Sequence, residues 1–143
     1  MNTDDKRYDW ITEKIIGCAY KVGTKLGCGF LEKCYENALV YELRKAGLRV
    51  QQQVRLEVWY EDIVVGEYIA DLIVEDVILV ELKAASGLDP VHSAICINYL
   101  VATKLPVCLL INFGKRVEVK RMAGPALSSS SSVPIGAPSV AKE

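Results

Sequence analysis

Apolar residues follow a helical period up to Gly47, a strand period from there to Lys83, and a helical period again after Asp89-Pro90, and those two switches confine the chain to a mixed α/β domain. Before Gly47, the residues Ile11, Ile15, Cys18, Ala19, Val22 and Leu26 form one apolar stripe, which predicts a helix over residues 6–25. Gly27 and Gly29 flank Cys28 and break it, because paired glycines favour a tight turn over continued helix. A second helix is expected from Phe30, with Leu31, Cys34, Tyr35, Ala38 and Leu39 turned inward. Gly47 should cap it after Arg44 and Lys45, whose charges suit a helix C-terminus.

Between the switches, Val54, Leu56, Val58 and Tyr60 alternate with Gln53, Arg55, Glu57 and Trp59, which predicts a half-exposed strand over residues 48–60. Glu61-Asp62 turns the chain into a second strand, Ile63 to Val74, bent near Gly66. Glu75-Asp76 turns it again into Val77 to Lys83, so the three strands should form an antiparallel meander. Asp89 as N-cap and Pro90 in the first turn then start a third helix that runs to about Thr103. The segment PVCLLIN, residues 106–112, is apolar on both faces and reads as an interior strand, parallel to a neighbour through the helical crossover. A short strand over residues 117–121 follows Gly114.

The order is ααβββαββ. Residues 1–123 are expected to form one domain, and the Ser-, Pro- and Ala-rich residues 124–143 a disordered tail. A hydrophobic fraction of 51% and a charged fraction of 24% exclude wholesale disorder. The formal charge of -1 excludes a histone-like polycation, so any nucleic-acid contact must come from a local basic patch. No apolar run reaches the ~18 residues of a membrane span, and the N-terminus lacks the layout of a signal peptide. The five cysteines, odd in number and without a CxxC pair, read as reduced packing residues of a cytoplasmic protein. A single histidine excludes a His-rich metal site, and there is no GxSxG, P-loop or GxGxxG motif.

Chemistry concentrates in Asp71 and, ten positions on, Glu81-Leu82-Lys83. Glu81 and Lys83 are two apart in a strand and project from one face of the otherwise apolar VILVELK. Such a pair is explained by mutual pairing, by exposure at the strand end, or by a metal ion. A three-residue loop at Glu75 to Val77 places Asp71 opposite Glu81, on the same face and within reach of one cation; a two-residue loop places it opposite Val80 and destroys the site. Two carboxylates with the Leu82 carbonyl and water make a hard oxygen site suited to Mg²⁺ (or Mn²⁺). Lys83 beside it could lower the pKa of an attacking water or stabilise charge on a phosphate. Glu32, in the first turn of the second helix, either reaches toward this site or simply complements the helix dipole.

These residues carry a resemblance. Gly29-Phe30-Leu31-Glu32-Lys33-Cys34-Tyr35 resembles the G-x-x-E-x-x-Y signature of the GxxExxY group within the PD-(D/E)XK nuclease superfamily. The likeness continues through YENALVYELRKAGL, VGEYIADLIVED, VELKA, PVHSAICINYL and LLINFG, over about residues 8 to 121. It implies a restriction-endonuclease-like αβββαβ core with an extra N-terminal helix and a mixed sheet, and metal-dependent cleavage of DNA or RNA. Carried over by position, Glu32, Asp71, Glu81 and Lys83 are the acidic and ExK residues, with Leu82 lending its carbonyl, and Tyr99 is the tyrosine of the following helix. Similar sequences place a glutamine one turn before that tyrosine; here Ile95 stands there and cannot hydrogen-bond. Gly23 and Cys28 stand where histidine and proline are frequent. The Ile95 change leaves a second reading, a weakened nuclease fold serving as a nucleic-acid or protein binding module.

Four further features complete the reading. His92 is expected to be solvated or locally hydrogen-bonded, and Asn98 to be a buried, satisfied amide within the third helix. Lys21 and Lys25, with the Lys115, Arg116, Lys120 and Arg121 cluster, are either phosphate contacts or a solvated face. A small domain of this kind could also act as a homodimer.

Overall fold

The computed structural model describes residues 6–125. The expected order is present: α1 (Asp9–Leu26), α2 (Glu32–Lys45), β1 (Val50–Tyr60), β2 (Ile63–Val74), β3 (Ile78–Lys83), α3 (Pro90–Thr103), β4 (Val107–Phe113) and β5 (Val117–Ala123). The strands form one mixed sheet in the order β1-β2-β3-β4-β5, with β3 and β4 parallel and every other pairing antiparallel. The tail expected over residues 124–143 lies, from residue 126 onward, outside the described residues.

Two apolar clusters fix the layers. Helices α1 and α2 pack on one face through Ile15, Val22, Leu39 and Leu43 against Leu72, Val80, Leu109 and Ile111. Helix α3 covers the other face through Cys96 and Leu100 against Leu79, Cys108 and Leu110. Strand β4 is buried along its whole length, as a strand covered on both faces must be. Cys96 and Cys108 pack as expected, whereas Cys28 and Cys34 are exposed; all five cysteines are free.

The glycine break between the first two helices is held by Tyr35. Its hydroxyl donates to the Gly27 carbonyl at 2.5 Å and accepts from the Phe30 amide at 3.3 Å, while its ring stacks on Phe113 with centroids 4.6 Å apart. Satisfying those loop groups sets the rotation of α2, whose buried face is Tyr35, Glu36, Leu39, Val40 and Leu43. Leu31 and Cys34, expected inside, are exposed. The helix ends at Gly47, φ +89°, where the Leu48 amide reaches back to the Leu43 carbonyl. Gly23 lets α1 lie directly on β5: a Cβ there would sit 2.4 Å from Val117 Cγ2, so a larger residue requires β5 to move.

Tyr35→Phe keeps the ring stack and strands the Gly27 carbonyl and Phe30 amide. It should cost about 1–2 kcal/mol in urea unfolding, with m unchanged. A loss below a few tenths of a kcal/mol would show that the hydroxyl does not hold the loop.

Candidate active site

The loop between β2 and β3 has three residues, since Val74 pairs with Ile78. Glu75 and Asp76 take φ of +54° and +61° to close it. The printed ladder stops at Leu72 and Val80, and one step further the register sets Asp71 against Glu81. There the two strands part, and the Asp71 side chain enters the seam. Its Oδ2 accepts from the Leu82 amide at 2.8 Å, taking the place of a strand carbonyl. Glu81 Oε2 lies 3.4 Å from the Asp71 amide, so the two acids adjoin across the seam.

They do not share one face as expected. Glu81 and Lys83 line a cleft under α3 of about 150 Å³, together with Tyr68, His92, Ile95, Cys96, Tyr99 and Leu110. Asp71 is not among the lining residues; its Oδ1 lies 3.5 Å from Gln53 Nε2, which also donates to Glu36 at 3.0 Å. The cause is a break in strand alternation. Val50, Leu72 and Val74 pack under α1 and α2, whereas Val54, Leu56 and Ala70 pack under α3, although all six have even numbers. Both strands therefore turn over between these positions, at Gln53 and Asp71, a pairing missing from the ladder. Gln53 absorbs the change at φ +55°.

Burial raises the pKa of Asp71; the Leu82 amide opposes this, and the charges of Glu36 and Glu32 add to it. Burial likewise pushes Glu81 up to about 7, with the Tyr68 hydroxyl and Lys83 pulling down and Asp71 pushing up. Tyr68 donates to Glu81 Oε2 and stacks on Tyr99 with ring centroids 3.4 Å apart, so Tyr68 joins Tyr99 to the ExK glutamate. Glu32 is exposed in the first turn of α2 and acts on Asp71 through its charge.

Tyr68, Gln53 and Glu36 were missed in the sequence. Glu36, one turn beyond Glu32, is the buried acid of α2, held by Gln52, Gln53 and Lys33. The spacing of Glu32 and Glu36 was a signal that both share a helix face. Two expectations outside the seam resolve differently. His92 is locally bonded, its Nδ1 accepting from the Asp89 amide at 3.2 Å, while Asn98 is exposed and not buried, because it lies on the side of α3 away from the sheet. Among the basic residues, Lys21 pairs with Glu42 and Arg121 with Asp9.

The donor set suits a divalent cation. Two adjoining carboxylates resist ionisation because they are desolvated and face like charge, and a cation relieves both costs. Among the described residues no three His, Cys, Asp or Glu side chains cluster to form a complete protein cage. Mg²⁺, which keeps much of its water, does not require one.

The raised Glu81 pKa has a sign that can be measured. Without metal, the folded state favours the protonated acid, so its contribution to stability is complete below pH 4.5, the ordinary value, and is lost as pH rises through about 7. Ionising Glu81 then costs the fold roughly 3 kcal/mol. In EDTA, Glu81→Gln should be more stable than the parent at pH 8 and show a flatter stability profile between pH 5 and 8. Parallel profiles for the two proteins would rule this out.

The comparisons with known proteins agree with this geometry. The family model of the PD-(D/E)XK nuclease superfamily matches residues 9–122. No curated protein matches. Among solved structures, the crystal structure of SSO0001 is similar at a TM-score of 0.50 and 19% identity, over 83% of this chain and 60% of that one, a likeness of fold. This chain thus spans less than two thirds of that protein's length. With a match over most of its length and the αβββαβ core in place, the chain belongs to the PD-(D/E)XK nuclease superfamily.

Proposed function

We propose that the chain is a metal-dependent nuclease of the GxxExxY group, which hydrolyses phosphodiester bonds of DNA or RNA. The observation that carries this is the seam itself: two acids with raised pKa values adjoin where β2 and β3 part, and a lysine stands two residues along the same strand. Asp71 and Glu81 would hold Mg²⁺ or Mn²⁺ with the Leu82 carbonyl and water, and Glu32 would assist through water. The cation, when bound, supplies Lewis acidity at the phosphoryl oxygen.

The chain's own residues do the rest. Lys83, on the Glu81 face, steadies negative charge developing on the phosphate and draws a proton from the attacking water's environment. Tyr68 holds one oxygen of Glu81 and leaves Oε1 for another ligand. Tyr99, fixed by the stack on Tyr68, forms one wall of the cleft and orients the nucleotide. Lys115 and Arg116, both exposed beyond β4, offer phosphate contacts away from the seam. No described helix is long and apolar enough to cross a membrane, in keeping with the expected cytoplasmic setting.

Ile95 favours a second reading. Exposed at 41% on the cleft rim, it offers no hydrogen bond where similar sequences carry glutamine, which suits a module that binds and cuts poorly.

The test is cleavage of single- and double-stranded DNA and RNA with Mg²⁺, Mn²⁺ or EDTA. The parent should cut only with metal. Asp71→Ala and Lys83→Ala should each lose at least about a hundredfold in rate. An Asp71→Ala protein as fast as the parent overturns the assignment. Ile95→Gln should gain rate severalfold. Should Mg²⁺ fail to raise the melting temperature while nucleic acid does, the binding reading stands in place of catalysis.

A further inference from the structure

Helix α3, Pro90–Thr103, contains no Asp, Glu, Lys or Arg in fourteen residues. Its inward side is accounted for by Cys96, Leu100 and Thr103. The outward side is also apolar: Val91, Ile95, Ile97 and Val101 are 52%, 41%, 43% and 47% exposed, and Ala94 and Asn98 lie among them. A surface helix that exposes water to this much hydrocarbon, without a single charge, normally meets a protein surface.

The spacing says which one. Val91, Ala94, Asn98 and Val101 recur at steps of three, four and three, the seam of a helix that packs against another helix, with Ile95 and Ile97 as its flanks. Asn98 stands inside this seam, and its amide, both donor and acceptor, is complementary to itself. A seam free of charge gives nothing for an acidic or basic partner to select, and it meets no like-charge repulsion from its own image. The chain's formal charge of -1 adds almost none.

We infer that the outward face of α3 is a homodimer interface, in which α3 of one copy packs on α3 of a second copy around Asn98. A face one helix wide is smaller than the about 800 Å² per partner of a standard interface, so the dimer should form and part with concentration in the micromolar range. Ile95 belongs both to this face and to the cleft of Glu81 and Lys83, so the two clefts would open beside the interface. The inference does not depend on the chemistry of that cleft.

Sedimentation velocity of the full chain from about 1 to 300 µM tests it without reference to activity. The parent should pass from monomer to dimer. Val101→Lys and Asn98→Asp set like charges against each other across the two-fold and should weaken the dimer roughly tenfold or more, with the circular dichroism spectrum and melting temperature of the parent retained. Asn98→Leu, which deletes the polar group, should associate more tightly and lose its single oligomeric state. A parent that stays monomeric across the range overturns the inference, for the face is then covered by something else. So does a dimer that survives both charged variants, which places the contact elsewhere, such as along the free edge of β1.

Discussion

The seam between β2 and β3 depends on one substitution of hydrogen-bond partners: the Asp71 carboxylate takes the Leu82 amide that a strand carbonyl would otherwise hold. A buried amide left unpaired costs about 1–3 kcal/mol, so strands this deep in a sheet stay zipped unless another acceptor is supplied. Asp71 supplies it and is thereby fixed in the plane of the sheet. The parted strands let Glu81 turn into the cleft under α3 while its neighbour stays in the seam.

That arrangement places carboxylates where they resist ionisation, and the surrounding residues limit the cost. Tyr68 and Lys83 steady Glu81 from one side; Gln53 links Asp71 to Glu36 on the other. The stack of Tyr68 on Tyr99 joins this network to α3, so the helix that bears Ile95 is coupled to the ExK glutamate through two rings. At the far end of β3, Asn112 bonds both the amide and the carbonyl of Ala85, which anchors the chain just after Lys83. The acids and the lysine are therefore held by rigid strands, and the loops around them adapt.

Much of this was legible in the residues. The caps at Gly47 and Asp89, the three-residue loop after Val74 and the buried strand at residues 107–113 all follow from local sequence chemistry, and each was read to within a few residues. The side from which Asp71 projects was not legible. Alternation of faces is a property of a regular strand, and Gln53 and Asp71 interrupt it together, a choice made by two strands paired across the sheet and visible in neither alone. Asn98 failed for a related reason: a helix apolar on every side has no stripe from which its inner face can be chosen.

The sequence by itself determined the order of elements, the mixed α/β class and the positions of the acid, acid and lysine along β2 and β3, because periodicity, caps and turns act over a few residues. Tertiary structure alone decided that Tyr68 meets Glu81, that Glu36 and not Glu32 is the buried acid of α2, and that Asp71 enters the seam. Those contacts join residues 11 to 18 positions apart, or lie on faces set by the rotation of a whole helix, and only the packed sheet fixes them.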